Sequence, residues 1–141
     1  MKHFMWYCCL FLLVAVGCKK DDESVNAGDQ YTDKLTIGTG MSGFNITSET
    51  STFTLVGGNA SLYWRLECKD DYGNQGAKLQ IDKNVGGTYT AYRTITPPAL
   101  QDYGHIYVNG PVSIDAAGTY RATGSHIASG RVVATKEFTV N

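Results

Sequence analysis

A chain of 141 residues has room for one folded domain at the usual size of about 100–200 residues, and little besides. Its 12 Lys and Arg against 13 Asp and Glu leave a formal charge of −1, without the surplus of cations that a phosphate backbone demands, so nucleic acid is excluded as a partner. Nine Tyr, five Phe and two Trp exclude a disordered chain in the same way.

The chain opens on Lys2 and His3 and runs into an apolar stretch from Phe4 to Val16. As a helix rising about 1.5 Å per residue, that stretch reaches about 20 Å, short of a hydrocarbon core of roughly 30 Å. A positive head, a short apolar run and a small residue before a cut make an export signal, expected over residues 1–17. Cys8 and Cys9 fall inside it. Ala15-Val16-Gly17-Cys18 resembles the lipobox of bacterial lipoproteins, with Ala15 where that family prefers Leu. The resemblance implies that the Cys18 thiol is diacylated with palmitate-like chains and becomes the new N-terminus. Two or three acyl chains hold a small domain to a membrane where one does not.

Lys19-Lys20-Asp21-Asp22-Glu23-Ser24 is a charged, solvated spacer without apolar anchors. It also resembles the tag after the lipidated Cys in surface lipoproteins of the Bacteroidetes group. That resemblance implies the outer face of the cell outer membrane, with the periplasmic face as the alternative. Residues 18–33 show no periodicity and are expected to form a flexible tether. Residues 34–141, with 9 Lys and Arg and 8 Asp and Glu, are left as the folded domain. Cys68 has no disulfide partner there, so packing alone must hold the fold.

Within the domain, apolar and polar residues alternate with period two and no helical stripe is sustained. Leu62, Trp64, Leu66 and Cys68 share one face of a strand whose other face carries Tyr63, Arg65 and Glu67. Residues 77–83 repeat the pattern, Asn84-Val85-Gly86-Gly87 supplies a turn, and residues 88–95 return as the second arm of a hairpin. Further strands are expected at 53–56, 105–114, 118–124 and 131–140. The class is all-β, an antiparallel β-sandwich of about 7–9 strands. Trp64 in mid-strand and Tyr120 after the turn Asp115-Ala116-Ala117 resemble the strand C tryptophan and the tyrosine corner of immunoglobulin-like domains. The resemblance implies an immunoglobulin-like sandwich, with a jelly roll or another β-sandwich as the alternative. Lettered on that scheme, residues 51–56 are strand B, 61–68 strand C and 88–96 strand D. The loops 57–60, 97–104 and 125–130 then gather at the tether's end, and the loop 69–76 lies at the other.

No constellation for catalysis stands out, and the chain reads as a non-enzyme without a cofactor. Ser125-His126 is expected in a solvated hairpin loop, where neighbours point apart, and His105 at a strand start, packed on the surface. Asp70 and Asp71 are adjacent on a loop rather than opposed across a cleft. With Asn74 they offer hard oxygens to calcium, at a spacing unlike that of an EF-hand. Tyr63, Tyr72, Tyr89, Tyr92 and Tyr103 are the candidate ligand-binding residues, since flat rings with polar tips suit a sugar face or a protein interface. The expected function is a lipid-anchored cell-envelope module for protein interaction or adhesion. A carbohydrate-binding accessory lipoprotein using those Tyr residues is the alternative.

Overall fold

Among the described residues every regular element is a strand, because the period-two pattern gives each segment one apolar face to bury and one polar face to keep wet. The computed structural model describes residues 31–70, 76–96, 100–102 (backbone only) and 105–141. In chain order the strands are β1 Lys34–Gly38, β2 Met41–Ser42, β3 Asn45–Ile46, β4 Thr52–Phe53, β5 Ala60–Glu67, β6 Ala77–Val85, β7 Thr88–Ile95, β8 Leu100–Asp102, β9 Ile106–Ile114, β10 Gly118–His126 and β11 Val132–Val140. One sheet has the order β1-β5-β9-β8 and the other β4-β11-β10-β6-β7, while β2 and β3 pair as a small hairpin. All pairings are antiparallel except β4 with β11, which run parallel.

The two sheets meet over one core. Leu35, Ile37, Leu62, Trp64, Leu66, Val112 and Ile114 come from the first sheet, and Leu79, Ile81, Tyr120, Ala122, Phe138 and Val140 from the second. Burying each large apolar side chain contributes roughly 1.5–3 kcal/mol, and among the described residues no disulfide adds to it. An aromatic chain crosses the second sheet's inner face: Phe53 lies edge-on to Phe138, Phe138 stacks on Tyr120, and Tyr92 meets Tyr120 edge-on. The Tyr120 hydroxyl donates to the Ala116 carbonyl at 2.7 Å, clasping the turn that precedes its own strand.

The expected strand lettering is displaced. Only Thr52–Phe53 of the segment 51–56 forms a strand, and it pairs with β11, so this segment is not a full second strand. The strand carrying Trp64 is the neighbour of β1, in the sheet that lacks β10. The place beside β10, expected for Trp64, is held by β6. Residues 88–95 pair with β6 as the expected hairpin and form the edge of this sheet, so the letter D does not fit them.

The loop arrangement is corrected with it. Ala77 pairs with His126, and the Ile127 amide donates to the Gly76 carbonyl, so the segment that follows β5 lies beside the β10–β11 turn, not opposite it. The start of β1, Lys34, is opposite Glu67, so the chain enters at this same end. The turn at Val56–Asn59, the turn Gly86–Gly87 and the C-terminal Asn141 occupy the far end.

Candidate functional site

At the entry end, the last residues expected in the tether are already docked. Tyr31 stacks on His105 with ring centroids 4.4 Å apart, and the Thr32 amide donates to Glu67 Oε1 at 2.8 Å. Asp33 accepts the Lys69 amide through Oδ1 and pairs with Arg131 through Oδ2. The folded unit therefore begins by Tyr31. Cys18 and the rest of the expected signal and tether, residues 1–30, lie outside the described residues.

The same end corrects the two histidines. β10 runs on through Ser125 and His126, and both are buried, so His126 is no solvated loop residue. Its ring meets Tyr107 edge-on at 5.9 Å. His105 is also buried, and its Nδ1–H donates to the Cys68 carbonyl at 2.9 Å. The Cys68 thiol is pushed up to about 12, first by burial and then by the charge of Asp33, with Arg131 opposing. A thiol so held stays protonated and is a poor nucleophile. Asp70 is exposed and faces Arg131 at 3.5 Å, a cation where a calcium site needs another oxygen. Asp71 and Asn74 lie outside the described residues. Among the described residues no group of three His, Cys, Asp or Glu gathers to hold a metal.

Two of these groups make stability depend on pH. Burial, reinforced by the Arg131 charge, holds His126 below its ordinary pKa against the opposing pull of Asp33 and Asp70. Burial raises Glu67, but the Thr32 amide and the Arg65 guanidinium outweigh it and leave its pKa lowered. Both contributions are full above the unfolded values and are lost as pH falls, through His126 from about 6.5 and through Glu67 from about 4.5. The melting temperature is therefore expected to drop between pH 7.5 and 5. In His126→Leu that drop should flatten, whatever the variant's absolute stability. An equal pH slope in both proteins would contradict the assignment.

The described candidate tyrosines, Tyr63, Tyr89 and Tyr92, do not converge on one platform. Tyr63, on β5 of the first sheet, is half-buried against Gly110 of β9, where an added Cβ would collide with its ring. Tyr89, on β7 of the second sheet, donates to Glu137 Oε1 at 2.7 Å under the Arg121 guanidinium, 4.3 Å from the ring centroid. Tyr92 turns to the other face, packs on Tyr120 and donates its hydroxyl to Asp115. Tyr72 and Tyr103 lie outside the described residues. The three described rings are occupied in separate places.

Two other features are open. The first is the outer edge of β7, which pairs with β6 alone among the described residues. Gly86-Gly87, both at positive φ, close a two-residue turn that pairs Val85 with Thr88. By the alternation such a hairpin imposes, the backbone N–H and C=O of Tyr89 and Ala91 point away from β6. A register shift opposite Ile81 and Asp82 ends this regular run at Tyr92. The second is a groove of about 410 Å³ at the far end, lined by Thr39, Phe53, Thr54, Val56, Asn59 and Ser61. Sequence reasoning missed it, although the glycine pair 57–58 marked the turn that shapes it. No protein-family model matches the chain, and no curated protein matches it.

Proposed function

We propose that this protein is a non-enzymatic, lipid-anchored module of the outer membrane's exposed face that binds a partner protein by adding a strand to β7. The observation that carries the reading is the edge of β7, where the outward backbone groups of Tyr89 and Ala91 meet no neighbouring strand among the described residues. Unpaired edges are the sites at which an extended segment of another chain completes a sheet. Strand addition draws affinity from main-chain hydrogen bonds and specificity from alternate side chains, here the exposed Thr88 and Thr90 on one face of β7.

The immunoglobulin-like subclass belongs to the same proposal. The orders β1-β5-β9-β8 and β11-β10-β6-β7, with the Tyr120 clasp on Ala116, support it over a jelly roll. The anchor rests on the sequence around Cys18, and the Lys-Asp-Glu run that follows supports surface exposure.

Ala91→Pro tests the reading. Ala91 is exposed on an edge and its N–H points outward, so Pro removes a donor the fold itself does not use. The expected result is an unchanged melting temperature within a few degrees, with loss of the partner cross-linked to a photoreactive residue at Thr90 in intact cells. The same cross-linked partner at the same yield in Ala91→Pro would contradict strand addition.

A further inference from the structure

We infer that the far-end groove is a second binding site, for an uncharged polyhydroxylated ligand such as a neutral saccharide unit. The site is separate from the β7 edge and does not depend on it. Its volume, about 410 Å³, falls in the range of small-ligand sites. Six residues line it: Thr39, Phe53, Thr54, Val56, Asn59 and Ser61, and none carries a charge. A phosphate, a carboxylate or an ammonium group would find no counter-ion in this lining, and burying it there is costly.

What the groove offers is hydrogen bonding. Asn59 Oδ1 accepts the Ser113 hydroxyl at 2.7 Å, which fixes the amide plane and leaves the NH₂ group as a donor. Thr39, Thr54 and Ser61 are exposed on the groove wall and bring three hydroxyls, each able to donate and accept. No described hydrogen bond uses those three hydroxyls. Neighbouring sugar hydroxyls pair with this kind of mixed donor and acceptor set. The aliphatic side of a sugar ring has a partner as well, because Val56 is 78% exposed, the most open of the large apolar side chains among the described residues.

The frame is rigid before any ligand arrives. Val56 and Asn59 exchange backbone hydrogen bonds at 2.9 and 3.3 Å, closing the turn over Gly57 and Gly58. The Leu55 amide donates to the Asn141 carbonyl and the Asn141 amide to the Phe53 carbonyl, which ties the groove wall to the end of β11. A site built in advance loses less freedom on binding. It also lies at the end opposite Tyr31, so a chain tethered through its N-terminus would hold the groove away from the attachment point.

The test uses the mature protein purified in a sugar-free zwitterionic detergent, on an array carrying neutral, sulfated and uronic-acid oligosaccharides. Binding confined to neutral glycans is expected. Ser61→Tyr, which fills the groove from an exposed position, and Asn59→Asp, which replaces the amide donor by a charge, should each weaken it about tenfold or more. Val132→Ser, exposed at the entry end of the second sheet, should bind as the parent does, and melting curves show that each variant is folded. Silence across the neutral glycans, preference for the acidic ones, parental binding by both groove variants, or loss in Val132→Ser would each overturn the inference.

Discussion

Trp64→Ala is expected to remove about 3–5 kcal/mol of folding stability, the range for emptying a core site of tryptophan size. Trp64 has no exposed surface and sits on the inner face of β5 between Leu62 and Leu66, which are equally buried. Domains of this size hold only about 5–15 kcal/mol in total, so one substitution consumes much of the margin. The melting temperature should fall by roughly 15 °C or more, read by circular dichroism. The indole N–H is itself buried without a partner, which costs stability in the parent protein. Trp64→Phe, which deletes that donor and keeps most of the volume, should therefore lose less than half as much. A loss under about 1 kcal/mol for Trp64→Ala would mean that this residue does not anchor the two sheets.

Cys18→Ser should move the protein from the membrane fraction to the soluble one. Each buried methylene of an acyl chain contributes about 0.8 kcal/mol, so two or three chains bind persistently where one exchanges. Serine keeps the size of the side chain and removes the thiol that the acyl transfer requires. The folded domain starts by Tyr31, so its melting temperature should be the same in the soluble variant as in the parent. A variant that stays with the membrane would shift the attachment to another part of the chain.

How much of this was legible depends on which contacts are local. The alternation Leu62, Trp64, Leu66, Cys68 gives the inner face of β5 residue by residue, because a strand's two faces are fixed by its own sequence. The hairpin of β6 and β7 is legible for the same reason, with Gly86 and Gly87 supplying the positive φ that its turn demands. The assignment of strands to sheets is not local. Thr52–Phe53 looks like part of a strand from its composition, but its partner is the parallel end of β11, nearly ninety residues away. Taking it as a full second strand moved Trp64 one place along the scheme and so exchanged the ends of the loop 57–60 and the segment after β5, while the turn 125–130 lies at the entry end as expected.

The surroundings of the described candidate tyrosines were hidden for a related reason. Alternation gives the face of a ring but not what lies beside it. The neighbours that occupy Tyr89 and Tyr63 are Glu137, Arg121 and Gly110, all remote in sequence. The burial of His126 depends likewise on Tyr107 and on β10 continuing past Ser125, and the glycines flanking that segment suggested a loop instead. Asn59 and Ser61 gave no signal of their own, since a groove between sheets exists only once both sheets are placed.

Mass spectrometry of the mature protein's N-terminus decides whether acyl chains on one cysteine hold this all-strand domain at the envelope. The expected species begins at Cys18, carries a diacylglycerol thioether and is recovered from the membrane. An unmodified Cys18, on a protein recovered from the culture fluid, would contradict it.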